Sequence, residues 1–78
     1  MMTLYELEKK LLEINIPNDA YSLNGGLPNE AFCINESDGK WETYYSERGS
    51  KSGTKLFDNE GEACDYFLTW IKRNFKIT

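Results

Sequence analysis

The segment that most constrains this chain is residues 31–49, AFCINESDGKWETYYSERG, in which two runs of β-branched and aromatic residues flank the dipeptide Asp38-Gly39. Asp-Gly suits the two-residue turns whose backbone twist matches that of paired strands, so the segment predicts a β-hairpin. With Asp38 and Gly39 as the turn, Ser37 faces Lys40, Cys33 faces Tyr44, Ile34 faces Thr43 and Phe32 faces Tyr45. Side chains alternate along a strand, so Phe32, Ile34, Trp41 and Tyr45 share one face, which should meet the helices. Cys33, Glu42, Tyr44, Ser46 and Arg48 form the second, more polar face, on which Tyr44 is expected to be exposed.

The hairpin is bracketed by two helical patterns. Thr3 stands three residues before Glu6, the spacing at which each side chain can satisfy the other's free backbone N–H, so a helix should begin there. Leu4, Leu7, Leu11 and Ile14 recur at helical spacing, Tyr5 and Leu12 widen the stripe, and charged residues fill the other faces. Asn15 and Pro17 end the pattern, giving a helix over about residues 4–15. At the other end Asn59 precedes Glu62 by three, acidic residues fill the first turn, and Lys72, Arg73 and Lys76 sit near the close, in keeping with the helix dipole. Ala63, Phe67, Trp70 and Ile71 form its apolar stripe, with Cys64, Leu68 and Phe75 on the flank.

Between the first helix and the hairpin runs IPNDAYSLNGGLPNE, with two prolines and a Gly25-Gly26 pair, which predicts an ordered loop. Tyr21 and Leu23, two apart, could supply a short strand within it. After Gly49, SKSGT reads as a flexible turn and KLF as a short edge strand, completing a meander. The expected class is α+β: helix, three-stranded antiparallel meander, helix, with both helices on one face of the sheet. A chain of 78 residues has room for one such domain, residues 1–78, and no second core.

The residues argue against catalysis. The chain has no histidine, which removes the most frequent general base and metal ligand and every nucleophile pair built on imidazole. Glu60 and Glu62 are explained by the helix dipole and Asp38 by its turn, and so small a chain has little capacity for a cleft around Glu36, Glu42 and Glu47. NESDGK lacks the alternating oxygen ligands and closing glutamate of a calcium loop, and no lysine or helix follows Gly25-Gly26 as in a phosphate cradle. No catalytic residue, metal or cofactor is expected. Cys33 and Cys64 read as two buried thiols, a single bridge between them being the lesser alternative.

Charge points toward a protein partner. Residues 16–49 hold Asp19, Glu30, Glu36, Asp38, Glu42 and Glu47 against Lys40 and Arg48, and this excess equals the net charge of −4 of the whole chain. An acidic centre repels phosphate backbones and attracts basic protein surfaces, so nucleic acid is not an expected partner. No apolar stretch approaches the roughly 20 residues of a membrane span, and MMTLYELEKK has neither the basic nor the apolar region of a secretory signal, which makes the cytoplasm the expected location. Tyr5, Tyr21, Trp41, Tyr44 and Tyr45 are more aromatic side chains than so small a core needs. Trp41, Tyr45 and Trp70 are assigned to the core with their polar tips outward, and Tyr44 to an interface. The expected partner-binding residues are Tyr21, Glu30, Glu42, Tyr44, Glu47 and Arg48.

The strings YSLNGGLPNEAFCI, WETYYSERG and KLFDNEGEACDYFLTWI together resemble a family of small bacterial immunity proteins that accompany polymorphic and contact-dependent toxins. The resemblance spans roughly residues 14–71 and implies a stoichiometric inhibitor that neutralises a cognate toxin, with no catalytic residues to carry across. Many such toxins are basic nucleases, which an acidic surface would suit. Two other readings stand beside it: an accessory or regulatory module that dimerises through its sheet edge, and a small-ligand carrier or enzyme that uses the long loop as a lid.

Overall fold

The computed structural model describes residues 2–76. Along the chain come α1 (Leu4–Glu13), β1 (Tyr21–Ser22), β2 (Ala31–Ser37), β3 (Lys40–Glu47), β4 (Ser50–Phe57) and α2 (Glu60–Asn74). The class is α+β, but the sheet is four-stranded and mixed, in the order β1-β2-β3-β4, with β1 parallel to β2 and the other pairs antiparallel. The expected three-stranded antiparallel meander is therefore corrected by one added strand. It is the pair Tyr21–Ser22, held beside Phe32 and Cys33.

The β2–β3 register is the one the turn dictates, with Ser37 opposite Lys40 and Phe32 opposite Tyr45. Asp38 and Gly39 both adopt positive φ, 53° and 80°, as the two-residue turn requires. The same solution recurs at Arg48 and Gly49, with φ of 52° and 77°, so that Glu47 pairs directly with Ser50. SKSGT is consequently not a flexible turn but the first five residues of an eight-residue strand. Gly53 (φ 65°) lies within the register shift between Thr43 and Tyr45, where one extra residue of β4 is accommodated as a bulge.

The first helix begins with a complete capping box: Glu6 N–H donates to Thr3 Oγ1 (3.2 Å) and Thr3 N–H donates to Glu6 Oε1 (3.0 Å). It ends with Asn15 in the left-handed region (φ 61°), where Asn15 N–H reaches the Leu12 carbonyl and Ile16 N–H reaches that of Leu11. This pair of reversed bonds satisfies carbonyls that the helix end would otherwise leave free. Leu4 N–H, one of α1's unpaired first-turn donors, gives a 2.8 Å bond to Glu60 Oε2, tying together the two helix starts. Asn59 caps α2 through Glu62 N–H (2.9 Å).

Helix α2 lies across β2, β3 and β4, and α1 packs on α2. The core joins Leu7, Leu11 and Ile16 to Ile34 of the sheet and to Ala63, Cys64, Phe67 and Ile71 of α2. The α1 stripe is narrower than its sequence suggests, since Tyr5 and Leu12 are exposed. No helix among the described residues is long and apolar enough to cross a membrane.

Candidate partner-binding surface

The sheet has two faces, and the structure covers both, with different materials. Helix α2 covers the first. Residues 23–30 cover part of the second, folding over Cys33, Asn35, Tyr44 and Ser46. The Tyr44 hydroxyl donates to the Gly26 carbonyl at 2.6 Å, and Ser46 Oγ donates to that of Pro28 at 2.6 Å. Ser22 Oγ donates to the Gly25 carbonyl at 2.8 Å, closing the loop's own start. Tyr44 is thus wholly buried, and its expected exposure is overturned. A polar strand face is solvent-facing only if nothing folds over it, and here the loop supplies carbonyls that its hydroxyls satisfy.

Burial accounts for the titration of this layer. It pushes the Tyr44 phenol up to about 12, with the neighbouring Cys33 and Glu42 adding to the effect. It also raises the Cys33 thiol, against smaller opposing contributions from its hydrogen bond with Tyr44 and from Lys51. Glu42 is not free either, because Lys51 Nζ lies 2.9 Å from its Oε1 and 4.5 Å from the Tyr44 ring centroid. The two thiols are free and buried on opposite faces of the sheet, Cys33 beneath the loop and Cys64 in the helix-side core.

The other expected binding residues are distributed as follows. Tyr21 is half-buried in β1, its hydroxyl raised by desolvation and then by Glu8 of α1. Arg48 is exposed in the β3–β4 turn. Glu30 ends the loop and Glu47 ends β3, so both stand at the end of the β2–β3 hairpin away from its turn, and both are exposed. Tyr45 stands two residues before Glu47, opposite Phe32, and its hydroxyl is held above its ordinary value by desolvation, then by the charges of Glu30 and Glu47.

Tyr45 opens a row of touching aromatic rings on the helix side of the sheet. Phe32 meets Tyr45 edge-on at 5.1 Å and Trp70 edge-on at 4.7 Å. Trp70 stacks on Tyr66 at 5.9 Å, and Tyr66 meets Phe57 at 5.4 Å. All five are half-buried; Trp70 packs against the core without being sealed in it, whereas Tyr45 meets Phe32, which does so in its place. Phe75, 6.1 Å from Phe32, is exposed. The row escapes a reading of single elements because it joins three strands to one helix. Its trace in the sequence is the i, i+4 pair Tyr66 and Trp70, which sets two aromatics on one helical flank beside the buried stripe.

Neither sheet edge is well suited to pairing with another strand. β1 has two residues, and β4 carries Lys51, Lys55 and the bulge at Gly53, all features that blunt an edge. Among the described residues no group of three or more acidic, cysteine or histidine side chains is placed to hold a metal ion. A shallow depression on α1 is lined by Glu6, Lys9, Lys10 and Glu13, two side chains of each sign on a solvated helix face. Comparison of the chain with protein-family models, with curated proteins and with solved structures finds no match. The likeness to immunity proteins therefore stands on the sequence strings alone.

Proposed function

We propose that this protein is a non-catalytic protein-binding domain of the immunity type, which binds a basic bacterial toxin domain in the cytoplasm and neutralises it by masking its surface. The observation that supports this most directly is the state of the acidic centre. Of its six carboxylates, Glu42 alone has a lysine within salt-bridge distance among the described residues, while Asp19, Glu30, Glu36, Asp38 and Glu47 are exposed without one. Carboxylates left in this condition keep their field available for a basic surface, speeding encounter and disfavouring nucleic acid. The charged edge strand gives the rival reading, self-pairing through the sheet, less support.

The test is purification of the tagged protein from its native host at low and moderate salt, followed by mass spectrometry. A single basic protein carrying a toxin domain, present in stoichiometric amount, is the expected result. Its release should quicken as salt rises, and its toxicity should fall when the two are mixed. Recovery of no such partner, even with the neighbouring gene product co-expressed, would overturn the proposal.

A further inference from the structure

We infer that the open end of the aromatic row, where Phe32, Tyr45 and Trp70 lie beside Glu30 and Glu47, is the docking site for an arginine side chain of a basic protein partner. The inference rests on the protein-binding reading above and adds a place and a chemistry to it.

Three observations converge there. The rings are large apolar surfaces left half-buried, with centroids 4.7 and 5.1 Å apart, so a flat group laid on them would complete their burial. Two exposed carboxylates flank them, and neither has a lysine or arginine within 4 Å among the described residues. Lys72 and Arg73 belong to the last turn of α2, yet neither pairs with Glu30 or Glu47.

The third observation is that a lysine lies over three of the four other tyrosines, Tyr21 being the exception. Lys9 lies over Tyr5 at 5.5 Å, Lys51 over Tyr44 at 4.5 Å and Lys55 over Tyr66 at 5.7 Å. Among the described residues no lysine lies over Tyr45, which Glu30 and Glu47 influence, although Tyr66, in the same row, has one. The ring faces and negative charge that hold a cation are therefore assembled at Tyr45 without a cation from among the described residues. Arginine fits better than lysine, because its planar guanidinium can lie on an aromatic face while its edge N–H groups reach carboxylates on either side. A nucleic-acid base could also stack there, but its phosphates would meet Glu30 and Glu47.

The experiment uses the full chain labelled for NMR and titrated with acetyl-Gly-Arg-Gly-amide, with the lysine tripeptide as comparison. The expected result is saturable shifts confined to Phe32, Tyr45 and the Trp70 indole N–H, several-fold weaker for lysine. In the Glu30→Gln/Glu47→Gln variant binding should weaken roughly three- to tenfold. Glu13→Gln should leave it unchanged, since Glu13 lies on the solvated face of α1, outside the acidic centre. An unaltered thermal midpoint would show that the double variant still folds. Shifts centred elsewhere, equal response to both tripeptides, or no response to either would overturn the site. The fate of the broader reading is read separately from the host purification. A basic partner retained undiminished by the double variant removes this site and leaves the reading standing, whereas a wild-type protein that captures no basic partner removes the reading itself.

Discussion

The Tyr44 hydroxyl lies 2.6 Å from the Gly26 carbonyl oxygen, and this bond joins the middle of β3 to the loop that folds over it. Tyr44 is wholly buried, so the phenol acts as a strut between sheet and loop. Tyr44→Phe keeps the ring and deletes the donor, leaving the Gly26 carbonyl short of a partner. A loss of about 1–2 kcal/mol is expected. Urea unfolding would measure it, and hydrogen exchange should quicken in residues 23–30 more than in the helices. Equal stability of the two proteins would mean that water replaces the bond at no cost.

Two buried residues on opposite faces of β3, Ser46 and Thr43, should respond in opposite directions to loss of a hydroxyl. Ser46 Oγ donates to the Pro28 carbonyl at 2.6 Å, so Ser46→Ala should cost about 1 kcal/mol. Thr43 is just as buried on the helix side, but its Oγ1 has no hydrogen-bond partner. Replacing that hydroxyl by a methyl in Thr43→Val removes an unpaid desolvation while keeping shape and β-branching. The variant should be neutral or up to about 1 kcal/mol more stable. Denaturation midpoints of the two variants against wild type decide the matter.

Gly25 and Gly26 both have positive φ, 74° and 83°, yet they should not tolerate alanine equally. A Cβ on Gly26 would meet only Pro28 Cδ at 4.0 Å, leaving the backbone strain of about 1 kcal/mol as the cost. A Cβ on Gly25 would stand 2.5 Å from Asn35 Nδ2 and 2.9 Å from Asn35 Cβ, so the loop must lift or Asn35 must move. Gly25→Ala should therefore cost at least about 2 kcal/mol. The ranking of the two thermal midpoints is the check, and equal midpoints would mean that the loop is not seated against Asn35.

How far the fold can be read from the residues follows the range of the interactions. Thr3 with Glu6, Asn59 with Glu62, and Asp38 with Gly39 each settle a structure within four residues, and each is found as expected. The strand in SKSGT was obscured because serine, glycine and lysine are poor strand formers taken alone. It forms because Arg48-Gly49 reverses the chain beside a strand already in place. The burial of Tyr44 depends on Gly26, eighteen residues away, and no local pattern shows that the loop will return over that face. The same limit applies to the candidate surface. Glu30 and Glu47 were legible as charges, but their position at the head of an aromatic row follows from where α2 places Trp70 and Tyr66.

The buried acids also fix the pH range over which the fold is strongest. Burial raises the Cys64 thiol from an ordinary value of 9.0 to about 12, with Glu60, Asp65 and Glu6 adding to it, and raises the Tyr44 phenol from 10.0 to about 12. Each group holds its proton more tightly in the folded protein than in the unfolded one. The stability linked to them is complete below about pH 9, and it falls as pH rises because the unfolded chain then releases protons that the folded chain keeps. One proton of difference corresponds to a slope of about 1.4 kcal/mol per pH unit. Urea midpoints measured from pH 7 to 11 should hold steady to about pH 9 and then decline. Cys64→Ala should begin lower because a side chain is lost from the core, but its decline between pH 9 and 10 should be shallower. Cys33 keeps a share of that slope, its thiol being raised as well. Parallel declines in the two proteins would show that Cys64 is not the group that titrates, whereas a wild-type midpoint unchanged to pH 11 would show that neither the thiols nor Tyr44 is as protected as its burial implies.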